Sequence, residues 1–233
     1  MSAFDYDSHI FSDEVSISAD TKNLMGLKLK RFLDRAETLP PDAKLLEMGC
    51  GIGNISSIIA GQHPGFRLVG IDISGNALRI AQESNAPVTL CRGDVTELPF
   101  LSNHFDAVYG FDIIEHVEQP EKIFEESHRV LKPGGVAHFH VPCEGEPWSL
   151  WWILWKMQFL GDLKQQHAGH LHRFTQKHIL ETIESQGFSI IKISYSFHFI
   201  GQVLDVIQWI ATALRNRHEK VGVVNPGRRP NYP

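Results

Sequence analysis

Three glycines at alternate positions, Gly49, Gly51 and Gly53, follow a short apolar run that contains the acidic residue Glu47. Glycine allows a sharp turn and lets a ligand approach the bare backbone. A strand, a glycine-rich turn and a helix N-terminus in succession are typical of a nucleotide-type site at the mouth of a parallel sheet. A dinucleotide fingerprint needs a third glycine where this chain has Asn54, and Glu47 would repel a pyrophosphate. The pattern therefore favours a ligand that carries an ammonium or a sulfonium group.

Acidic residues also follow the later apolar runs of the chain. Asp72 ends the second predicted strand, where a carboxylate can accept two ribose hydroxyls. Asp94 comes just beyond the third predicted strand, and Asp112 directly follows the fourth. Because the carboxyl ends of parallel strands meet at one edge of a sheet, we expect these three acids to line the same site as the glycine turn.

The composition is that of a globular protein with a sizeable core: 233 residues, of which 42% are hydrophobic and 21% are charged. Lys and Arg number 22 against 27 acids, a net charge of −5, so the bulk charge indicates no nucleic-acid partner. The three cysteines show no CxxC spacing, which is typical of a reducing compartment. Residues 1–15 lack the apolar core of a signal peptide, and neither 148–161 nor 197–214 has the pattern of a membrane span. We therefore expect a cytoplasmic protein.

Strands and helices alternate from residue 43 onward, which predicts an α/β fold with a mostly parallel sheet and helices on both faces. The apolar runs predict strands at 44–48, 67–71, 88–91, 105–111, 136–141 and 188–195. Apolar stripes at helical spacing predict helices at 21–39, 54–61, 75–84, 120–131, 175–186 and 199–214.

Five segments describe the domain organisation that we expect. They are an N-terminal arm and helix at 1–42, a cofactor-binding core at 43–142, a Trp- and His-rich insertion at 143–174, the rest of the core with a C-terminal helix at 175–214, and a tail at 215–233. The insertion follows the fifth strand, so we expect it to form a helical lid over the mouth of the site. Its apolar helix fits a packed lid, a cap for a hydrophobic acceptor with peripheral membrane contact, or a dimer surface.

Five ordered segments resemble class I S-adenosylmethionine-dependent methyltransferases of the type 11/12 kind, and more distantly the ubiquinone-pathway O-methyltransferases. They are LLEMGCGIGNIS, VGIDIS, RGDVTELPF, FDAVYGFDIIEHV and HRVLKPGG, within about residues 43–142. The resemblance implies a Rossmann-like, doubly wound class I methyltransferase fold. It also implies an enzyme that uses S-adenosyl-L-methionine as cofactor and releases S-adenosyl-L-homocysteine.

The resemblance assigns a set of cofactor-binding residues: Glu47, Gly49, Gly51, Gly53, Asp72, Ile73, Asp94, Val95, Phe111 and Asp112. The glycine turn and Glu47 look like the loop around the methionine part. Asp72 looks like the ribose-binding acid, with Ile73 beside the adenine. Asp94 looks like the acceptor for the adenine amino group, next to the Val95 backbone. Phe111 and Asp112 look like the start of the loop that meets the cofactor amino group and faces the substrate.

The acceptor side is less defined than the donor side. Methyl transfer from a sulfonium needs the nucleophile held close and in line, and a hydroxyl nucleophile also benefits from a base. His116, which follows the fourth strand, is the candidate catalytic base. The candidate substrate-side residues are His140, Trp148, Trp152, His170 and His172. We expect a small-molecule or lipid-like acceptor, with oxygen favoured as the acceptor atom, and the oligomeric state stays open.

Three alternatives remain at this point. Asp112, Glu115 and His116, with the later His172, could surround one cation, a pattern that resembles the metal-dependent sugar-hydroxyl methyltransferases of small RNAs. Our main expectation is a site without a metal. The chain could also be a non-catalytic S-adenosylmethionine-binding or regulatory module of the same fold. A nicotinamide oxidoreductase is disfavoured by Glu47 and Asn54.

Overall fold

The computed structural model of the chain describes residues 6, 24–84, 87–147, 149–157, 169–196, 201–204, 206, 207 and 210. The chain divides into two compact units. The sheet unit comprises residues 1–146 and 171–196, and the helical unit comprises residues 147–170 and 197–233. The glycine turn and the four acids discussed above all belong to the sheet unit.

In the described part of the chain, five parallel strands form one sheet in the order β3-β2-β1-β4-β5. The strands are β1 (Lys44–Met48), β2 (Arg67–Asp72), β3 (Val88–Arg92), β4 (Phe105–Phe111) and β5 (Leu131–His140). The direction of winding reverses between β1 and β4, which is where open α/β sheets form their binding crevice. The predicted Rossmann-like parallel fold is confirmed.

The described helices agree with the predicted ones to within a few residues. They are α1 (Leu24–Ala36), α2 (Asn54–Gln62), α3 (Gly75–Glu83), α4 (Pro120–Val130), α5 (Leu150–Lys156) and α6 (Gln176–Ser185). A short 3-10 helix, Ile114–His116, follows β4. Local side-chain chemistry determines where two of these helices begin. Pro120 occupies the first turn of α4. At the start of α6, the Thr175 side chain accepts a hydrogen bond from the His178 amide at 3.3 Å.

Two apolar clusters cover the two faces of the sheet because neighbouring strand residues point to opposite sides. Leu45 and Tyr109 pack with α1 and α2 on one face, whereas Leu46 and Val108 pack with α4 and α6 on the other. The ring of Phe32, on α1, lies 4.4 Å from the ring of Tyr109, centroid to centroid. Helices therefore lie on both faces, as a doubly wound sheet requires.

Two predicted strands differ from the structure. β5 begins at Leu131 rather than at residue 136, because Phe105 pairs with Leu131 and Ala107 pairs with Val136, and the residues between form an irregular start. The strand predicted at 188–195 is not formed: residues 188–196 have neither helix nor strand. Ile191 is 73% exposed, so the alternating apolar residues of this segment have no buried face.

In the helical unit, Ser149 caps the N-terminus of α5, and its side chain accepts a hydrogen bond from the Trp152 amide at 3.1 Å. The described residues between 201 and 210 are helical, as predicted for part of 199–214. Among the residues that the structure describes, no helix combines the length and the apolar character that crossing a bilayer requires. The predicted lid role of 143–174 and the other segment boundaries stay predictions.

Replacing Phe32 by alanine will test how α1 is anchored to the sheet. Phe32 is buried against Tyr109, so Phe32→Ala should lower the free energy of unfolding by about 3–5 kcal/mol in urea titrations. Glu37→Ala, an exposed change just beyond the same helix, is the matched control and should stay within about 0.5 kcal/mol of wild type. Equal stability of the two variants would contradict this packing.

Candidate functional site

The glycine turn after β1 has the left-handed backbone that the sequence predicts. Gly49, Gly51 and Gly53 have φ angles of 71°, 51° and 76°. The amide of Gly49 donates to the Ile71 carbonyl at 2.9 Å, which closes the turn against β2. A side chain at position 49 would lie 2.8 Å from Ile113, whereas one at Gly51 would meet no atom of the described residues within 4 Å. The turn therefore has open space on the side of Gly51, where a ligand can approach the backbone.

Asp72 joins this turn to the end of β2. Its Oδ2 accepts a hydrogen bond from the Gly51 amide at 2.7 Å, and its Oδ1 accepts one from the Ser74 amide at 2.9 Å. Each carboxylate oxygen has a further lone pair, so Asp72 retains the capacity to accept ligand hydroxyls. The next residue, Ile73, has 52% of its surface exposed. An acceptor and a bare apolar side chain are thus adjacent beside the glycine turn.

Asp94 lies in the turn that follows β3. Its Oδ1 accepts hydrogen bonds from the Thr96 amide at 2.8 Å and from the Thr96 hydroxyl at 2.7 Å. Its Oδ2 accepts none from the residues that the structure describes, and the side chain is exposed. The neighbouring Val95 side chain is buried. Asp94 therefore stabilises its own turn and still offers one carboxylate oxygen to a ligand.

Glu47 lies beneath the turn rather than at its surface. The residue is 3% exposed, and its Oε2 accepts hydrogen bonds from the Ser56 hydroxyl and from the Tyr109 hydroxyl. Burial raises the pKa of Glu47 to about 7, against the opposing effect of these hydrogen bonds. Direct contact between Glu47 and a ligand stays a prediction, and the observed contacts connect β1, α2 and β4 below the turn.

Phe111 is the last residue of β4, and Asp112 follows it on the other side of the turn. Asp112 has a φ of 52°, which is uncommon for a residue other than glycine. Its carboxylate binds the Lys28 ammonium through Oδ2 and His140 Nδ1 through Oδ1, the latter at 2.7 Å. Burial alone would raise the pKa of Asp112, but Lys28 and His140 together hold it well below its ordinary value.

Lys28 is a site residue that the sequence analysis missed. It lies on α1 and is only 5% exposed. A signal was present, since Lys28 is four residues before Phe32 and so shares the apolar face of that helix. A lysine on a buried stripe needs an anionic partner, and the structure supplies Asp112.

The acceptor-side candidates are distributed over both units. His116 lies in the 3-10 helix, with its Nδ1 3.5 Å from the Tyr6 hydroxyl. His172, in the sheet unit, donates from Nε2 to the Val117 carbonyl at 2.9 Å. Trp152 and His170 belong to the helical unit, and Trp148 lies outside the described residues. A substrate role for these residues and the base role of His116 stay predictions.

The four-ligand metal alternative stays a prediction, and two of its four ligands have other partners in the structure. The carboxylate of Asp112 is already bound by Lys28 and His140, and the Nε2 of His172 is bound to a backbone carbonyl. Glu115 is fully buried, and its pKa is raised well above the ordinary value by burial and by the nearby charge of Asp112.

Part of the chain matches a known family model, and the chain is similar in sequence to several known proteins. Residues 46–139 match the family model described as a methyltransferase domain. The sterol 24-C-methyltransferase of Gibberella zeae is 28% identical over 167 residues, which are 66% of this chain and 41% of that protein. The 2-methyl-6-phytyl-1,4-hydroquinone methyltransferase of Synechocystis is 35% identical over 103 residues, which are 43% of this chain and 32% of that protein.

A solved structure shows that the chain is also similar in fold to a known protein. Phosphoethanolamine N-methyltransferase 2 of Haemonchus contortus, in complex with S-adenosyl-L-methionine, superposes with a TM-score of 0.59 and 22% identity. The match covers 85% of this chain and 45% of that one. The aligned regions span less than half the length of these three relatives.

The raised pKa of Glu47, the buried acid beneath the turn, predicts how the free energy of unfolding depends on pH. Because the pKa of Glu47 is raised from 4.5 to about 7 in the folded chain, the unfolded chain releases this proton first as pH rises. The free energy of unfolding should therefore fall between pH ~4.5 and ~7, by about 3 kcal/mol from this group. Glu47→Gln cannot titrate, so urea unfolding at pH 5 and pH 8 should show a smaller fall for the variant.

The matched control is Glu83→Gln, which changes an exposed acid on α3 that pairs with Arg79. Its fall in stability over the same pH range should equal that of wild type within about 0.5 kcal/mol. Parallel curves for wild type and Glu47→Gln would show that Glu47 is ionised in the folded chain at pH 5.

Proposed function

Because the chain carries a methyltransferase domain at residues 46–139, we propose that it is an S-adenosylmethionine-dependent methyltransferase. The observation that carries this proposal is the hydrogen bond from the Gly51 amide to Asp72, which places an acid beside the open side of the glycine turn at Gly51. When bound, the cofactor supplies a methyl group that its positively charged sulfur activates for transfer. An acidic edge suits a cationic ligand of this kind better than a pyrophosphate.

The residues of the edge fit the parts of this cofactor. The backbone at Gly51 leaves room for the methionine part, and Asp72 can accept the ribose hydroxyls. The exposed side chain of Ile73 offers an apolar surface to the adenine, and the open oxygen of Asp94 can accept its amino group. The residues of the chain then raise the rate of methyl transfer mainly by holding the acceptor close to the methyl group and in line with it. The methyl group needs no further activation because it already has a good leaving group.

For the acceptor we propose a small hydrophobic molecule. Two curated relatives are named for a sterol and for a phytyl-substituted hydroquinone, both lipid-like acceptors. The sequence of α5 is almost wholly apolar and includes Trp151, Trp152 and Trp155, which provides aromatic surface for such a compound. We also propose that the acceptor atom is oxygen and that the protein makes peripheral contact with a membrane.

Removing the Asp72 carboxylate tests the donor site. In calorimetry, Asp72→Ala should bind S-adenosylhomocysteine about 10- to 150-fold more weakly than wild type, the loss of charge-assisted hydrogen bonds of ~1.5–3 kcal/mol. Asp34→Ala, which removes an exposed acid on α1, should leave the affinity unchanged. Thermal unfolding of both variants separates lost binding from lost structure. Tight binding of NAD by wild type, with no response to S-adenosylhomocysteine, would contradict the proposal.

The acceptor class is tested with paired compounds that differ only in their apolar chain. A prenylated hydroquinone and unsubstituted hydroquinone are each incubated with the enzyme and methyl-labelled S-adenosylmethionine. The prenylated compound should give at least about tenfold higher kcat/KM, since burying two or more methylenes contributes about 1.4 kcal/mol or more. Equal rates for the two compounds would rule out a hydrophobic acceptor site.

A further inference from the structure

Three ionisable side chains form a continuous array at the carboxyl edge of β4 and β5. Asp112 follows the last residue of β4, and His140 is the last residue of β5, paired with Phe111 in the register of the sheet. The Asp112 amide donates to the His140 carbonyl at 3.1 Å, so the two residues are tied by backbone as well as side chain. Lys28, from α1, binds the second oxygen of Asp112.

This array defines the protonation pattern of the imidazole. The hydrogen bond of 2.7 Å between His140 Nδ1 and the carboxylate requires the proton to lie on Nδ1, because an ionised Asp112 can only accept. Nε2 is then an acceptor with a free lone pair. The side chain of His140 is 23% exposed, and no described residue forms a hydrogen bond to Nε2. His140 therefore presents a proton acceptor to a molecule bound at this edge.

The surrounding charges fit such a role. Lys28 keeps Asp112 ionised, and the ionised carboxylate stabilises a positive imidazolium at hydrogen-bond distance. Glu115 lies near Asp112, and its pKa is raised by burial and by the charge of Asp112. His138, two residues before His140 on the same face of β5, has its pKa lowered to about 4 by burial and stays neutral. Arg31 is the further cation near His138.

We infer that His140 is the residue that takes the proton from a hydroxyl acceptor, with Asp112 and Lys28 as its positioning residues. The inference rests on the proposed function and narrows its acceptor to a hydrophobic molecule with an ionisable hydroxyl. An oxygen lone pair forms the new bond to the methyl carbon, and the electron pair of the broken C–S bond stays on sulfur. The hydroxyl proton moves to His140 Nε2 and is later released to water.

His116 is the competing candidate, and its geometry differs. The Oε1 of the adjacent Glu115 lies 3.9 Å from the Nε2 of His116, which exceeds hydrogen-bond distance. The His140 ring nitrogen lies 2.7 Å from Asp112. A catalytic base needs an oriented ring and a defined tautomer, and the Asp112 contact supplies both for His140.

Two phenols distinguish a proton acceptor from a structural histidine. One is a long-chain alkylphenol, and the other is the same compound with a nitro group, whose hydroxyl is largely ionised at pH 8. His140→Gln should lower single-turnover methyl transfer to the plain phenol by about 10²–10⁴-fold and lose the fall in rate at acid pH. Transfer to the nitrophenol should fall less than tenfold. A uniform loss with both phenols would assign His140 a structural role and overturn the inference.

The controls separate this inference from the proposed function. His178→Gln, an exposed change on α6, should match wild type with both phenols. S-adenosylhomocysteine affinity of His140→Gln, measured by calorimetry, should stay within threefold of wild type. If wild type binds S-adenosylhomocysteine but methylates neither phenol, the inference of a hydroxyl acceptor is wrong. The proposed S-adenosylmethionine site is then still supported. If His116→Gln alone shows the selective loss, His116 is the base.

A measurement without turnover completes the test. Nitrogen-15 NMR of the purified wild-type chain should find the neutral His140 ring protonated on Nδ1. The fraction of neutral His140 rings protonated on Nδ1 should fall in Asp112→Asn and, to a smaller degree, in Lys28→Met. A ring protonated on Nε2 in wild type would overturn the inference, whether or not the chain binds S-adenosylhomocysteine.

Discussion

The parallel pairing of β1 with β2 on one side and with β4 on the other sets the positions of Glu47, Asp72 and Asp112. Glu47 is level with Gly70 of β2 and with Tyr109 of β4. Because both neighbours continue past this level, Asp72 and Asp112 follow on either side of the glycine turn. The turn can bend sharply only in the left-handed backbone that glycine permits. A shift of register by one residue would turn these side chains to the opposite face.

Two acids at this edge show how a partner decides the effect of burial. Glu47 has only hydroxyl donors from Ser56 and Tyr109, and its pKa rises to about 7. Asp112 has the ammonium of Lys28 and the ring of His140, and its pKa falls well below the ordinary value. A full charge at contact distance outweighs desolvation, whereas neutral hydrogen bonds do not. One acid thus becomes a structural link under the turn, and the other stays ionised beside the proposed acceptor.

The match to the methyltransferase domain model and the choice of acceptor concern different parts of the chain. The domain match covers the strands and turns from residue 46 to residue 139, all within the sheet unit. His140, the residue that we place against the acceptor hydroxyl, is the next residue along the chain. Sterol, hydroquinone and phosphoethanolamine appear in the names of proteins that are similar to this chain. A fold does not by itself select an acceptor.

The sequence by itself determined the features that depend on neighbouring residues. Alternating apolar runs defined the five strands, and the glycines with the following Asp72 marked the binding edge. The strand predicted at 188–195 failed because a period-two pattern cannot show whether a partner strand is present. The role of Lys28 required the tertiary structure, since its partner Asp112 is 84 residues away. The orientation of His140 likewise depends on the pairing of β5 with β4, and no local pattern encodes contacts between distant segments.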